Sequence, residues 1–192
     1  MSNTVDLTMI DKKLPGDVAM WFFILAELSV FGVFFISFAV TEQLNTALFV
    51  DGKAQLHTVS GLINTIALIT SSLFVALSVQ TLKVQQTKKT VTHIALALAF
   101  ACVYLVVKMW EYNALFEQGI TLETNTFFTL YFLITAFHSM HVILGMVILV
   151  FVAIKAWQNG YRDDISGFES GAAYWHMVDL VWIILFPLIY VI

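Results

Sequence analysis

Five long apolar segments dominate this 192-residue sequence and leave it few ways to fold. They run at about 18–40, 58–82, 91–112, 126–157 and 172–192. About 20 helical residues cross a bilayer core of ~30 Å, and each segment meets that length. In lipid every backbone N–H and C=O must be bonded within the protein, so such a segment takes the form of a helix. The pattern predicts an all-α fold: a polytopic membrane helical bundle of five transmembrane helices, in one membrane domain over residues 1–192. The segment at 126–157 would reach about 48 Å, so it must tilt or extend past the lipid.

Composition points the same way. The chain is 60% hydrophobic and 11% charged, against about 45–50% and about 25% in soluble domains. A net charge of −4 carries no nucleic-acid signal. The single cysteine, Cys102, excludes an internal disulfide and any multi-cysteine metal or iron–sulfur site.

Lys12 and Lys13 precede the first segment as they would in a signal peptide. The apolar run is too long for an h-region of about 7–15 residues, so it is expected to be a retained helix. Lys12, Lys13, Lys83, Lys88, Lys89, Lys155 and Arg162 fall on one side of the predicted bundle, and only Lys53 and Lys108 on the other. The positive-inside rule then puts the N-terminus in the cytoplasm and the C-terminus in the periplasm. The longest loops, at 41–57 and 158–171, are too short for a soluble domain. The chemistry is therefore expected in the membrane or at its surfaces.

Ionisable groups inside membrane helices carry the functional question. Glu27 is ~13 Å deep in the first segment. It is either a protonated acid bonded to a neighbouring helix or a group that exchanges protons. His138 and His141 share a helix face with Gly145. Two imidazoles can ligate a metal, but no third ligand is visible. A haem would need His176 or His93 from another helix. Interhelical hydrogen bonding, with Gly145 permitting close approach, is the simpler reading.

His176 and Asp179 are one turn apart in the last segment, as a pair in which the carboxylate would orient the imidazole. They suggest a structural and lipid head-group role. Tyr174 and Trp175 are expected at interfacial depth. Glu169 is expected just before the helix, near its positive end. Lys108 and Glu111 read as an ordinary ion pair near the outer end of the third segment. Trp110 and Tyr112 flank them as an aromatic belt. Lys155 is expected to snorkel, and Asn64, Thr65, Ser71 and Ser72 to form a polar packing seam. No catalytic residue is predicted, so the chain reads as a subunit and not as a self-sufficient enzyme.

Two stretches, "TFFTLYFLITAFHSMHVILG" and "GFESGAAYWHMVDLVWIILFPLIY", resemble the last two helices of subunit III of haem–copper oxidases. The matching positions are His138, His141, Val142, Gly145, Phe168, Glu169, Trp175, His176, Val178, Asp179 and Trp182. "ILAELSVFGVFF" resembles the family's helix with a buried glutamate, here Glu27. "WEY" resembles its Glu-Tyr, here Glu111 and Tyr112. The resemblance covers about residues 15–192. Five helices match the shorter forms, with no counterpart here of the first two helices of seven-helix members. "LPGDVAMWFFILAELSVFGVFF" and "INTIALITSSLFVAL" look closest to the NorE-type accessory protein of nitric oxide reductases.

The resemblance implies a non-catalytic component of a haem–copper oxidase or nitric oxide reductase complex in the bacterial inner membrane. It implies no cofactor on this chain. Haem, with copper or non-haem iron, would reside in a catalytic partner subunit, and phospholipid would bind here. Glu27, His138, His141, Glu169, Trp175, His176 and Asp179 would be the lipid-binding or structural positions. Two other readings stay open: a stand-alone proton or small-solute transporter using Glu27 and the histidines, and a membrane cytochrome b.

Overall fold

A computed structural model describes residues 17–162 and 164–191. The elements are α1 (Val18–Leu44), α2 (Thr46–Ala54), α3 (Thr58–Lys83), α4 (Thr87–Glu117), α5 (Thr126–Trp157) and α6 (Ser166–Tyr190). All except α2 are long and apolar enough to cross a membrane, and no strand occurs among the described residues. Lys12 and Lys13, which weigh on the orientation, lie outside the described residues.

Helix ends follow local chemistry. Asp17 caps α1 by accepting from the Ala19 N–H at 3.1 Å. Asn125 caps α5 by accepting from the Phe128 N–H at 3.0 Å. Each side chain satisfies a donor that the first helical turn leaves unbonded.

α6 is the organising helix. It packs on α1, α3 and α5, while α4 packs on α3 and α5. Its outward strip is short: Leu180, Ile183 and Ile184 are exposed, while Trp175, Val178, Trp182 and Leu185 are buried. α1 is the opposite case. Ile24, Phe31 and Phe38 bury one edge, and Phe22, Leu25, Val33 and Ile36 are bare. In water such a surface would be untenable, but in lipid it is the expected outer face.

Several boundaries differ from the sequence expectation, and α1 itself runs on to Leu44. The loop expected at 41–57 contains α2, whose Phe49 and Gly52 pack on Phe127 of α5. α4 runs further than 91–112 at both ends. α6 begins at Ser166, not near 172, so Glu169 lies within its first turn and not ahead of it. A carboxylate there still faces the positive end of the helix.

Candidate functional site

The polar residues form three clusters. In the first, His141 of α5 meets Glu27 of α1, with Nε2 and Oε2 at 2.9 Å. Nδ1 of the same ring lies 2.8 Å from the Phe137 carbonyl. A carbonyl only accepts, so Nδ1 carries a proton. One more proton then lies between Nε2 and Oε2. It makes either a carboxylic acid bonded to imidazole or a carboxylate bonded to imidazolium. The Glu27 side chain keeps 20% of its surface exposed, so the pair opens on the bundle's outer face.

The second cluster surrounds Lys108 and Glu111 of α4, which are 1% and 0% exposed. The Lys108 ammonium donates to Glu111 at 2.9 Å, to the Tyr131 hydroxyl at 3.1 Å and to the Tyr190 hydroxyl at 2.8 Å. All three of its protons are used. Glu111 also accepts from Tyr190 at 2.8 Å and lies 3.0 Å from the Ser60 hydroxyl. The rings of Tyr112, Tyr131, Trp182 and Tyr190 lie 4.7 to 5.5 Å from the ammonium. This pair is therefore not the ordinary ion pair of the sequence reading. It is a fully bonded charge centre joining α3, α4, α5 and α6. Removing either charge would leave the other buried alone.

The third cluster lies between α3 and α6. His176 Nδ1 and Ser72 Oγ are hydrogen-bonded at 2.7 Å. Lys83 and Glu169 pair at 2.9 Å. His176, Lys83 and Glu169 border one groove of about 330 Å³, lined also by Ala76, Val79, Gln80, Ala172 and Ala173.

Several sequence expectations are corrected here. No bond joins His176 to Asp179 among the described residues; Ser72 takes the imidazole, and it also faces the Asp179 carboxyl. Tyr174 and Trp175 do not face outward from the bundle. They are 0% and 1% exposed, because their face of α6 packs on α5 at Gly145. A Cβ built on Gly145 would stand 2.8 Å from Trp175 Cε3, so only glycine admits the indole. Tyr112 faces inward and bonds Thr135 at 2.7 Å, while Trp110 is exposed.

His138 and His141 share a helix but not a site. His138 is enclosed by Phe31, Tyr104 and Trp182, with no bond from protein to either ring nitrogen. No three His, Cys, Asp or Glu side chains converge as a metal site among the described residues. Along α3, Ser71 bonds the Ala97 carbonyl at 2.8 Å and Thr65 accepts from the Trp182 indole at 3.0 Å. Asn64 is buried without a side-chain bond. Lys155 lies over the Tyr161 ring at 4.6 Å, and burial raises the pKa of that phenol. Sequence reasoning missed Ser60, Tyr131, Tyr190 and Lys83. Each bonds a partner on another helix, which local spacing does not announce.

Comparison with known proteins now bears on this arrangement. The family described as Cytochrome c oxidase subunit III matches residues 15–192. A heme-copper oxidase subunit I+III of Aeropyrum pernix is 31% identical over 94% of this chain, which spans 24% of that longer protein. Cytochrome c oxidase subunit 3 of Synechocystis is 29% identical, over 88% of this chain and 72% of its own. A probable quinol oxidase subunit 3 of Staphylococcus saprophyticus is 25% identical, over 100% of this chain and 95% of its own. With that match running through every spanning helix, this chain belongs to the cytochrome c oxidase subunit III family.

Proposed function

We propose that the chain is a non-catalytic subunit of a respiratory haem–copper complex, held in the membrane against a catalytic haem-bearing subunit. The observation that carries this reading is the family match over residues 15–192, which takes in all three polar clusters. A relative whose name joins subunits I and III supports a subunit I-like partner. The engagement of polar groups supports it further. Lys108, Glu111, Glu27, His141 and His176 are bonded to other residues of this chain, as in a scaffold. On this reading the partner carries haem with copper or non-haem iron, and this chain sustains its assembly and turnover and retains phospholipid. The partner reduces oxygen or, in the accessory-protein branch, nitric oxide. The chain lies in a bacterial inner membrane with its N-terminus cytoplasmic.

Affinity purification in mild detergent tests the reading. The tagged chain should bring down a haem-bearing polypeptide, and the chain separated from it should lack a Soret band. The purified pair, supplied with oxygen or nitric oxide in turn, identifies the acceptor. A chain that purifies alone and carries protons across liposomes would replace this reading with the transporter.

A further inference from the structure

The Lys108–Glu111 centre joins four helices, and that role asks only that both charges be bonded. It does not ask for oxidisable partners, yet two of the partners are phenols. The Tyr190 hydroxyl donates to Glu111 at 2.8 Å and accepts from Lys108 at 2.8 Å. Tyr131 accepts from the same ammonium at 3.1 Å. A phenol gives up an electron readily only when its proton can leave with it. A carboxylate about 2.6–3.2 Å from the hydroxyl is placed to take that proton. Glu111 is 0% exposed and Tyr190 6%, so the transfer is enclosed by protein. Once the proton has moved, Lys108 still donates to the Tyr190 oxygen, and that oxygen keeps a partner.

Electron transfer needs neighbouring rings, not a channel. The Tyr190 and Tyr131 ring centroids are 6.5 Å apart, and those of Tyr131 and Tyr112 are 6.2 Å apart. Tyr112 lines a cavity of about 280 Å³ with Leu133 and Met140, both exposed to the bundle's surroundings. It lies five residues before the end of α4 at Glu117, about 8 Å along the axis, so this outlet is near a membrane surface. The series thus runs from a phenol bonded to a buried carboxylate to a ring beside lipid.

We propose that Tyr190 is a redox-active tyrosine that gives one electron, through the rings of Tyr131 and Tyr112, to an organic peroxyl radical at the lipid-facing surface. In that step the Tyr190 O–H bond breaks and its proton forms an O–H bond on the Glu111 carboxylate. The phenol becomes a neutral tyrosyl radical. The peroxyl radical takes the electron and one proton from water at the membrane surface, and becomes a hydroperoxide. One electron leaves the protein and one arrives on the peroxyl oxygen, and the charges balance. The inference does not depend on which complex the chain serves.

The test places the full chain in liposomes of polyunsaturated phosphatidylcholine with a lipid-soluble azo initiator, which generates peroxyl radicals at a steady rate. Samples frozen at intervals are read by electron paramagnetic resonance. A tyrosyl signal should appear, and it should narrow when the chain carries ring-deuterated tyrosine. Tyr190→Phe should abolish it. Tyr131→Phe, which interrupts the ring series but keeps the Tyr190–Glu111 bond, should slow its appearance. Because Tyr190→Phe also removes two bonds of the charge centre, a second substitution keeps them: 3-fluorotyrosine at position 190 should add a fluorine splitting to the signal. No tyrosyl signal in the unaltered chain overturns the proposal. So does a signal that survives Tyr190→Phe, or one that 3-fluorotyrosine at 190 leaves unsplit. An unchanged rate in Tyr131→Phe overturns the route through the rings.

Discussion

Glu27 of α1 and His141 of α5 meet at 2.9 Å although they are 114 positions apart in the chain. Because the Phe137 carbonyl fixes the other ring nitrogen as a donor, this contact holds one proton. Glu27→Gln preserves a donor to Nε2 and should fold normally. Glu27→Leu strips the imidazole of its partner and should cost about 1–3 kcal/mol. Thermal denaturation in detergent measures both. If the pair exchanges protons during turnover, Glu27→Gln should also shorten the active lifetime of the complex. Loss of activity over repeated turnovers reads this, and an unchanged lifetime removes that role.

The Lys108–Glu111 centre predicts a strongly non-additive pair. Lys108→Met leaves a buried carboxylate without its cation and should destabilise by about 3–5 kcal/mol. Glu111→Gln should fall in the same range. The double variant should lose much less than their sum, because no charge is left stranded. A double-mutant cycle of unfolding in mixed detergent micelles checks this, and simple additivity would contradict it.

Ser72 and His176 should behave as one unit. Each single alanine variant removes the same 2.7 Å bond, worth about 0.5–1.5 kcal/mol. Their effects on melting temperature should therefore overlap. Asp179→Asn should leave that bond in place and change stability less than Ser72→Ala.

Gly145→Ala should separate α5 from α6. Its methyl would press on Trp175 at 2.8 Å, and overpacking of this kind costs about 1–3 kcal/mol. Adding Trp175→Phe should recover part of the loss. Melting curves of the single and double variants decide the point.

The five spans could be read from the sequence because length and apolarity are local properties. The apolar run at 126–157 coincides with α5 over its full extent. α2 was invisible for a physical reason. Nine residues containing Asp51, Gly52 and Lys53 have little helical tendency of their own, and a helix so short depends on tertiary packing, here on Phe127. The ionic contact of Lys108 with Glu111 was readable because it spans one helical turn. Its burial was not, since that depends on Tyr131 and Tyr190 arriving from other helices. The same limit explains His176. Turn spacing suggested Asp179, while the actual partner, Ser72, lies 104 positions away. Tyr174 and Trp175 look interfacial by type, and only the absent Cβ at Gly145 reveals that they point inward.

Tyr190 bonds both members of the charge centre from 79 and 82 positions further along the chain. During synthesis α4 must therefore reach the bilayer well before this hydroxyl exists. Until the last helix enters, the nascent protein carries an ion pair with one of its donors and acceptors missing. A chain cut before α6 would therefore hold Lys108 and Glu111 without the Tyr190 hydroxyl that both use.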